Sequence, residues 1–239
     1  MRALLLSAGL GTRLRPLTNT TPKCMVDING VPLLGIWLDF LFVNGFDRVL
    51  INTHWLPCVV VNYIKTSRWI NRIDIVHETE LLGTAGTIRS NYEYFGNDDF
   101  FVAHADNLVF FDLIKFIDSH NRRPERCVMS MLSFRAENPN LCGILEIDEQ
   151  SVVQKFHEKI QNPPNNLANG AIYIFTHHVL NYICKFNFPI IDISTQVIPN
   201  FLDKIFCIET NGYLRDIGSI DSLEQARIDF KNLMTDKIK

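Results

Sequence analysis

The chain opens with Met1-Arg2-Ala3-Leu4-Leu5-Leu6-Ser7, followed directly by Ala8-Gly9-Leu10-Gly11-Thr12-Arg13-Leu14-Arg15-Pro16-Leu17-Thr18 and soon after by Pro22-Lys23. The first segment is an apolar run with the length of one buried strand. The two glycines of the second segment allow a tight turn whose N–H groups point into a concave anion site. Arg13, Arg15 and Lys23 place up to three cations around this turn. The stretch therefore predicts a buried strand that ends in a polyphosphate-binding loop.

Two common phosphate-binding motifs are absent from this stretch. A dinucleotide-binding loop has the pattern G-x-G-x-x-G, but Leu14 occupies the position of its third glycine. A Walker loop has the pattern G-x-x-x-x-G-K-[ST], which no part of the sequence contains. The loop is thus of another class.

The composition is that of an ordinary globular protein, and the cations near the N-terminus of this mildly acidic chain suit a small anionic ligand. Its 239 residues are 47% hydrophobic and 21% charged, and the net charge is -3. This charge provides no basic field for nucleic acid, so we expect no nucleic-acid partner. The chain length allows a single domain over residues 1–239.

The cysteines and the apolar segments indicate the compartment. None of the 6 cysteines forms a C-x-x-C pair, and their spacing suggests neither zinc binding nor a disulfide framework. Free thiols are typical of a reducing cytoplasm. The opening apolar run is too short for a signal peptide, and no run approaches the ~18 apolar residues of a membrane span. We therefore expect a cytoplasmic protein without a membrane partner.

Strands and helices alternate in the first half of the sequence. This alternation predicts an α/β fold with a mostly parallel sheet covered on both faces. From Cys127 onward, strand-like runs separated by polar turns predict a small antiparallel or mixed addition. The predicted helices are Leu33–Asn44, Leu56–Lys65, Thr84–Tyr94, Phe111–Asn121, Thr176–Cys184, Ser194–Leu202 and Ser219–Met234. The predicted strands are Met1–Ser7, Arg48–Asn52, Ile73–His77, Asp99–His104, Cys127–Phe134, Gly143–Asp148, Val152–His157, Gly170–Phe175, Ile205–Glu209 and Tyr213–Ile217.

Two aspartates at strand ends are candidate metal ligands. Asp106 follows the apolar strand that ends at His104, and Asp216 lies at the end of a later strand. Ligands of open α/β sheets bind beyond the carboxyl ends of the strands. Carboxylate oxygens beside a triphosphate loop are suitable ligands for Mg²⁺. Each aspartate alone is equally compatible with a helix N-cap.

The run from Glu78 to Gly86 follows the third strand and is a candidate nucleobase site. Its small residues Gly83, Thr84 and Ala85 permit the close approach of a flat ring. The Glu78 carboxylate can accept the N1–H and N2–H groups of guanine, whereas uracil and thymine offer one ring N–H between carbonyls. Solvated glutamates before a glycine-containing helix start are the alternative.

A later pair of segments contains candidate sugar ligands. Glu158 can accept sugar hydroxyls, Lys159 can pair with a sugar phosphate and Asn169 can bridge hydroxyl groups. A Glu-Lys pair on a strand is otherwise usually a solvated surface feature.

The sequence resembles the sugar-1-phosphate nucleotidyltransferases. The resemblance runs from Ala3 to about Ile220 and rests on Ala8–Thr18, on Pro22-Lys23, and on segments that match the family motifs F-x-E-K-P and N-x-G. It implies a Rossmann-like three-layer domain, Mg²⁺ as cofactor, and a nucleoside triphosphate and a sugar 1-phosphate as substrates. Ile160 replaces the usual proline after Lys159, which puts the local backbone in question.

The resemblance also implies a role for each matched residue. The catalytic group is Arg13, Lys23 and Asp106, and the metal ligands are Asp106 and Asp216. The nucleotide-binding residues are Leu6, Ala8, Gly9, Gly11, Thr12, Arg13, Glu78, Gly83 and Thr84. The sugar-phosphate-binding residues are Asn107, Gly143, Glu158, Lys159, Asn169 and Asp192.

Within the family, Glu80–Gly86 looks most like the E-P-L-G-T-A-G motif of the mannose-1-phosphate guanylyltransferases, with Leu82 at or near the proline position. GTP and a mannose or manno-heptose 1-phosphate are the substrates this implies. A uridylyl- or thymidylyltransferase, a glycosyltransferase of related fold and a non-catalytic nucleotide-sensing subunit are the alternatives. We expect a monomer or homodimer without the C-terminal β-helix of many relatives.

Overall fold

The apolar run at the start of the chain forms strand β1 (Arg2–Leu6), in which the side chains after Arg2 are buried. The structure is a computed structural model that describes residues 1–236. The other strands are β2 (Asp27–Ile28), β3 (Val31–Pro32), β4 (Arg48–Thr53), β5 (Ile73–His77), β6 (Phe100–His104), β7 (Asn107–Phe110), β8 (Met129–Arg135), β9 (Gly143–Ile147), β10 (Val153–Glu158), β11 (Leu167–Phe175), β12 (Ile205–Glu209) and β13 (Tyr213–Asp216). The α-helices are α1 (Leu33–Val43), α2 (Pro57–Thr66), α3 (Thr84–Ser90), α4 (Tyr92–Phe95), α5 (Leu113–Asn121), α6 (His177–Ile183) and α7 (Ile220–Asp236).

The described chain divides into two compact units. The N-terminal unit comprises residues 3–80, 104–110 and 213–236. The middle unit comprises residues 1–2, 81–103 and 111–212. A single domain over residues 1–239 stays a prediction, and its residues 237–239 lie outside the described residues.

The N-terminal unit is built on neighbouring strands in the order β1-β4-β5, and β4 and β5 run parallel. Helix α1 buries Trp37, Leu38 and Leu41 and is apolar on most sides, as the sequence predicts. It ends before Gly45, whose φ of 87° lies in the left-handed region that glycine tolerates. The first half of the predicted α/β alternation is thus confirmed.

A second strand pair in the N-terminal unit lies just after the predicted metal ligand Asp106. Strands β7 and β13 pair antiparallel, with Asn107 opposite Asp216. The sequence analysis did not predict β7, because its four residues are too few to show a periodicity. This pair joins parts of the chain that are far apart in sequence.

The middle unit contains the antiparallel strands expected after Cys127. Strand β11 pairs antiparallel with β6, β8 and β9, and β9 also pairs antiparallel with β10. Strand β12 pairs parallel with β8. The predicted α/β fold with a mixed sheet and a small antiparallel addition is confirmed.

Two predicted helices differ from those observed. The helix predicted over Thr84–Tyr94 is divided into α3 and α4 at Asn91, whose side chain donates to the carbonyl of Thr87. Asparagine competes with the helix through such local bonds. The helix predicted over Ser194–Leu202 is a π-helical turn at Ile193–Val197 followed by a 3-10 turn at Ile198–Asn200. The hairpin of β2 and β3 was not predicted.

No helix among the described residues is long and apolar enough to cross a membrane. The cysteines at positions 24, 58, 127, 142, 184 and 207 are all free thiols, as the spacing predicts.

We expect Phe100→Ala to lower the free energy of unfolding by roughly 3–5 kcal/mol. Phe100 is fully buried in the middle unit, stacked on Phe95 at 4.1 Å and edge-on to Phe175 at 5.8 Å between ring centroids. Urea denaturation measures the change. Phe188→Ala, at an exposed phenylalanine of the same unit, is the matched control with an expected change within about 1 kcal/mol. Equal losses in the two variants would contradict the assignment of Phe100 to the core.

Candidate active site

The loop after β1 is a tight turn that is stabilised by hydrogen bonds to the carbonyl of Gly11. Gly11 has a φ of 61°, and a Cβ there would lie 2.9 Å from the side chain of Thr18. The Thr18 hydroxyl donates to the carbonyl of Gly11 at 2.7 Å, and the N–H of Leu14 donates to the same carbonyl at 3.0 Å. These contacts explain why position 11 requires glycine. The loop has the turn that the sequence predicts.

The other predicted loop residues lie along this turn. Leu6 ends β1 and is buried, as is Ala8. Gly9, which follows Ala8 in the sequence, is exposed. Thr12 starts a 3-10 turn that ends at Leu14. Their contacts to a nucleotide stay predictions.

Lys23, Asp106 and Asp216 meet at one point of the N-terminal unit. The Lys23 ammonium nitrogen lies 2.7 Å from Oδ2 of Asp106 and 2.9 Å from Oδ1 of Asp216. The Lys23 side chain is only 8% exposed, so its charge requires these partners. Pairing of β7 with β13 brings the two aspartates together. The three residues, which the sequence predicts to share a site, thus lie in direct contact, and their role in a site stays a prediction.

The surroundings of Asp106 keep its carboxylate ionised. Burial acts to raise the pKa of Asp106, but the positive Lys23 and the nearby His104 outweigh it and hold the pKa below the ordinary value. The side chain is still 34% exposed, which leaves the carboxylate accessible to a ligand.

Arg13 lies beside the same carboxylates but faces solvent. Its Nη2 is 3.5 Å from Oδ2 of Asp216, and its side chain is 72% exposed. A Cβ at Gly218 would lie 2.7 Å from Nη1 of Arg13 and 2.6 Å from Oδ2 of Asp216. Gly218 therefore allows the guanidinium to lie against the aspartate. Gly218 was not among the predicted site residues.

The donors at this point fit one Mg²⁺ in part. The carboxylates of Asp106 and Asp216 both contact the ammonium nitrogen of Lys23. They are thus close enough together to bind the same cation. Among residues 1–236 no group of three or more His, Cys, Asp and Glu side chains forms a metal site. Mg²⁺ typically binds proteins through one or two carboxylates and takes its remaining ligands from phosphates and water. The aspartate pair fits that mode, and Mg²⁺ binding stays a prediction.

Glu78, the predicted base-binding residue, is buried in the N-terminal unit. Its Oε1 accepts a hydrogen bond of 2.9 Å from the amide of Asn52. Asn52 in turn accepts from the backbone N–H of Ser7 at 2.7 Å. Glu78 is thus linked to the start of the glycine loop. Ser7 and Asn52 were not predicted, although a polar Asn52 inside the apolar run of β4 was a visible signal.

Asn107, predicted to bind the sugar phosphate, lies on β7 in the N-terminal unit. It is buried, and its backbone carbonyl accepts from the indole N–H of Trp37 at 2.8 Å. A contact of its side chain with substrate stays a prediction.

In the middle unit, the segment at Gly83 and Thr84 is bound to the segment around Asp192. The Thr84 hydroxyl donates to Asp192 at 3.0 Å and accepts from the N–H of Ile193 at 2.7 Å. Gly83 has a φ of 77°, and a Cβ there would lie 2.5 Å from the carbonyl oxygen of Ile191. Gly83 is therefore required for this close approach. The two predicted positions Thr84 and Asp192, distant in sequence, lie in contact.

Gly143, Glu158 and Lys159 form a second group in the middle unit. Gly143 pairs with Glu158 between β9 and β10, and a Cβ at Gly143 would lie 2.6 Å from the ring of Phe156. The ammonium of Lys159 lies 3.4 Å from Oε1 of Glu158, and both side chains have exposed surface. The backbone of Lys159 has a φ of 50°, which is uncommon for a residue with a side chain.

Asn169 is fixed by a bulge in β11. Its amide donates to the hydroxyl of Tyr173 at 2.8 Å, and its carbonyl oxygen accepts from the N–H of Ala171 at 2.9 Å. Burial raises the pKa of Tyr173, while the hydrogen bonds with Asn169 and Ser194 act in the opposite direction. The negative charges of Asp192 and Glu158 also raise this pKa. The charges of both carboxylates of the predicted sugar site thus act on the Tyr173 hydroxyl. Tyr173 was not among the predicted site residues.

The sequence is similar to a known family and to curated proteins. The profile described as Nucleotidyl transferase matches residues 2–232. A mannose-1-phosphate guanylyltransferase of Mycobacterium tuberculosis is 30% identical over 232 residues, which cover 95% of this chain and 64% of that protein. The chain therefore spans less than two thirds of the length of this curated relative.

Solved structures share the fold. HddC from Yersinia pseudotuberculosis complexed with GMP-PN has a TM-score of 0.81 and 25% identity, and the match covers 96% of this chain and 99% of that chain. A putative glucose-1-phosphate thymidylyltransferase from Bacillus anthracis has a TM-score of 0.86 and 21% identity over 95% of this chain and 94% of that chain. At that identity the second match concerns the fold alone.

We expect the stability of the wild-type protein to fall as the pH drops below the ordinary pKa of aspartate, about 3.9. The pKa of Asp106 is depressed in the folded protein, so its ionised form stabilises the fold above the unfolded-state pKa, and this contribution is lost as the pH falls through the folded-state pKa. Asp106→Asn should weaken this pH dependence. Urea denaturation between pH 7 and pH 3 measures it, with the exposed Asp98→Asn as control. An unchanged slope in Asp106→Asn would contradict the prediction.

Proposed function

The chain belongs to the nucleotidyl transferase family, and we propose that it transfers a nucleotidyl group from a nucleoside triphosphate to a sugar 1-phosphate. The observation that carries the proposal is the convergence of Lys23, Asp106 and Asp216 beside the glycine loop and Arg13. A buried cation between two strand-end carboxylates, next to a loop of backbone N–H groups, matches the charges of a triphosphate and its counter-ion.

In the proposed reaction, an oxygen of the sugar 1-phosphate attacks the α-phosphorus of the triphosphate in line. The new P–O bond forms as the bond from the α-phosphorus to the bridging oxygen breaks, and pyrophosphate leaves with that electron pair. Asp106 and Asp216 would hold a magnesium ion, which would neutralise charge on the phosphate oxygens when bound. No side-chain nucleophile takes part. The neighbouring Cys24 fits this, because burial raises the pKa of its thiol to about 12 and keeps it protonated.

The residues of the N-terminal unit would then have distinct tasks. The backbone N–H groups of the glycine loop bind phosphate oxygens. Lys23 holds both carboxylates aimed at one point. Arg13, which is largely exposed, can turn its guanidinium from Asp216 to the transferring phosphate, where a planar fork of donors binds two oxygens.

We propose that the middle unit binds the sugar. Its candidate residues Glu158, Asn169 and Asp192 are acceptors or amides suited to hydroxyl groups, and Lys159 supplies an exposed charge for the acceptor phosphate. Thr84 fixes one carboxylate oxygen of Asp192, and Tyr173 fixes the amide of Asn169. Such fixed acceptors favour one arrangement of hydroxyls over another.

We propose guanine as the base and a manno-configured sugar as the acceptor. The support is the buried Glu78 carboxylate, the guanylyltransferase relative at 30% identity and the GMP-PN complex of HddC. A uridylyl or thymidylyl donor is the alternative within the same class, since a protein of similar fold is named as a thymidylyltransferase. A cytoplasmic location and a monomeric or homodimeric state stay predictions of the sequence.

We expect wild-type protein with Mg²⁺ to release pyrophosphate from GTP and mannose 1-phosphate or a manno-heptose 1-phosphate. Pyrophosphate is measured across four nucleoside triphosphates and several sugar 1-phosphates, with EDTA as the metal-free control. Release with UTP or dTTP alone would retain the reaction class and overturn the guanine assignment. Binding of GTP without turnover on any sugar phosphate would instead support a nucleotide-sensing protein.

Asp106→Ala and Arg13→Ala should each lower kcat by about 100-fold or more, because each removes charge complementarity to the reacting phosphates. The thermal unfolding midpoint should change little in Arg13→Ala, whose side chain is exposed, and should fall in Asp106→Ala, because the buried Lys23 ammonium loses one of its two partners; circular dichroism at the assay temperature checks that both variants are folded. Arg126→Ala, which breaks the exposed ion pair with Asp148, is the control and should keep wild-type turnover. Near-wild-type turnover of Asp106→Ala at saturating Mg²⁺ would show that the metal assignment is wrong.

A further inference from the structure

A buried chain of hydrogen bonds joins the ends of three strands in the N-terminal unit. The N–H of Ser7, directly after β1, donates to Oδ1 of Asn52 at 2.7 Å. Nδ2 of Asn52 donates to Oε1 of Glu78, directly after β5, at 2.9 Å. All three residues are buried, and the Ser7 hydroxyl also donates to the backbone carbonyl of Asn52. The amide of Asn52 is therefore shared between the glycine loop and the base-site carboxylate.

The strand order explains how Asn52, near the end of β4, contacts residues that follow two other strands. Because β4 lies between β1 and β5, a side chain at its carboxyl end reaches the ends of both neighbours. The backbone N–H of Ser7 on one side requires an acceptor, and the Glu78 carboxyl oxygen on the other accepts a donor. A primary amide provides both from one planar group. An aspartate would provide only acceptors, and an alanine neither.

The backbone of Glu78 is fixed by the two residues that follow Asn52. Its N–H donates to the carbonyl of Thr53 at 2.8 Å. Its carbonyl oxygen lies 2.8 Å from Nδ1 of His54 and can only accept, so the proton of that bond is on Nδ1 of His54. Residues 52 to 54 therefore anchor Glu78 at its side chain and at both backbone groups. This anchoring fixes the direction of the carboxylate.

We propose that Asn52 is a positioning residue that determines base specificity and couples the base site to the phosphate loop. It holds the Glu78 carboxylate in the orientation that accepts N1–H and N2–H of guanine, and with the same amide it fixes the backbone at which the glycine loop begins. The inference rests on the proposed function, in which Glu78 reads the base. Base selection and loop geometry then depend on one side chain.

The test compares GTP with ITP, which lacks the 2-amino group, in the full-length protein with Mg²⁺ and mannose 1-phosphate. The ratio of kcat/KM for GTP to that for ITP is measured for wild type, Glu78→Gln, Asn52→Asp and the double variant. Asn52→Asp keeps an acceptor for Ser7 but removes the donor to Glu78. Asn44→Asp is the matched control, because it makes the same substitution in the same unit at an amide that donates to the carbonyl of Phe40 on α1.

We expect Asn52→Asp to lower the GTP-to-ITP ratio by about tenfold, similar to the effect of Glu78→Gln, as for the loss of a hydrogen bond to a charged group. The double variant should be no less selective than the single variants, since the two residues act as one unit. Asn44→Asp should keep the wild-type ratio. Asn52→Ala, which also removes the acceptor for Ser7, should in addition raise KM for both nucleotides alike.

The possible failures are distinguishable. A wild-type ratio in Asn52→Asp together with a reduced ratio in Glu78→Gln would overturn the role of Asn52 and leave the proposed function intact. A wild-type enzyme that uses GTP and ITP equally, with no effect of Glu78→Gln, would overturn the guanine assignment and this inference with it. If Asn52→Asp does not fold, as judged by circular dichroism, Asn52→Ser is measured by the same criteria, because its shorter side chain also loses the bond to Glu78.

Discussion

The contact on which the candidate site depends is the buried ammonium of Lys23 between Asp106 and Asp216. A lysine charge removed from water is costly unless it is paired, and each carboxylate supplies part of the compensation. The three residues are far apart in sequence, so the contact requires the pairing of β7 with β13 and the turn that follows β1. The site and this part of the fold therefore stabilise each other.

Much of the fold was predictable because its strands are apolar runs bounded by clear stops. Strand β5 was predicted with its observed bounds, and α1 ends where Gly45 indicates. The parts that were missed carry little local signal. Strand β7 is short and is stabilised by its pairing with β13. The π-helical turn at Ile193–Val197 is capped by the Asp192 side chain, which accepts a hydrogen bond from the N–H of Thr195. Local periodicity does not predict which strands pair when they are far apart in the sequence.

The candidate site was predictable to the extent that its residues are charged or glycine. Arg13 and Lys23 were identified because they place cations around a glycine turn, and the two aspartates because they follow strands of an α/β sheet, where ligands bind. Asn52 and Tyr173 were missed because their importance lies in the hydrogen bonds they make to predicted residues, Glu78 and Asn169. An uncharged residue inside an apolar strand reveals this role only when its partners are known.

The two units differ in the kind of interaction that fixes their candidate residues. In the N-terminal unit, a buried ammonium and two carboxylates create a strong local field, which suits phosphate charge and its counter-ion. In the middle unit, hydroxyl, amide and carboxylate groups are fixed by neutral or singly charged hydrogen bonds, such as those of Thr84 with Asp192 and of Asn169 with Tyr173. Hydrogen bonds discriminate between hydroxyl positions more sharply than a field does, since their strength depends steeply on angle and distance. In the proposed function, reaction chemistry and sugar choice can therefore vary independently. The first would depend on charges that any nucleotidyl transfer needs, and the second on a network in which a single side chain changes the pattern of acceptors.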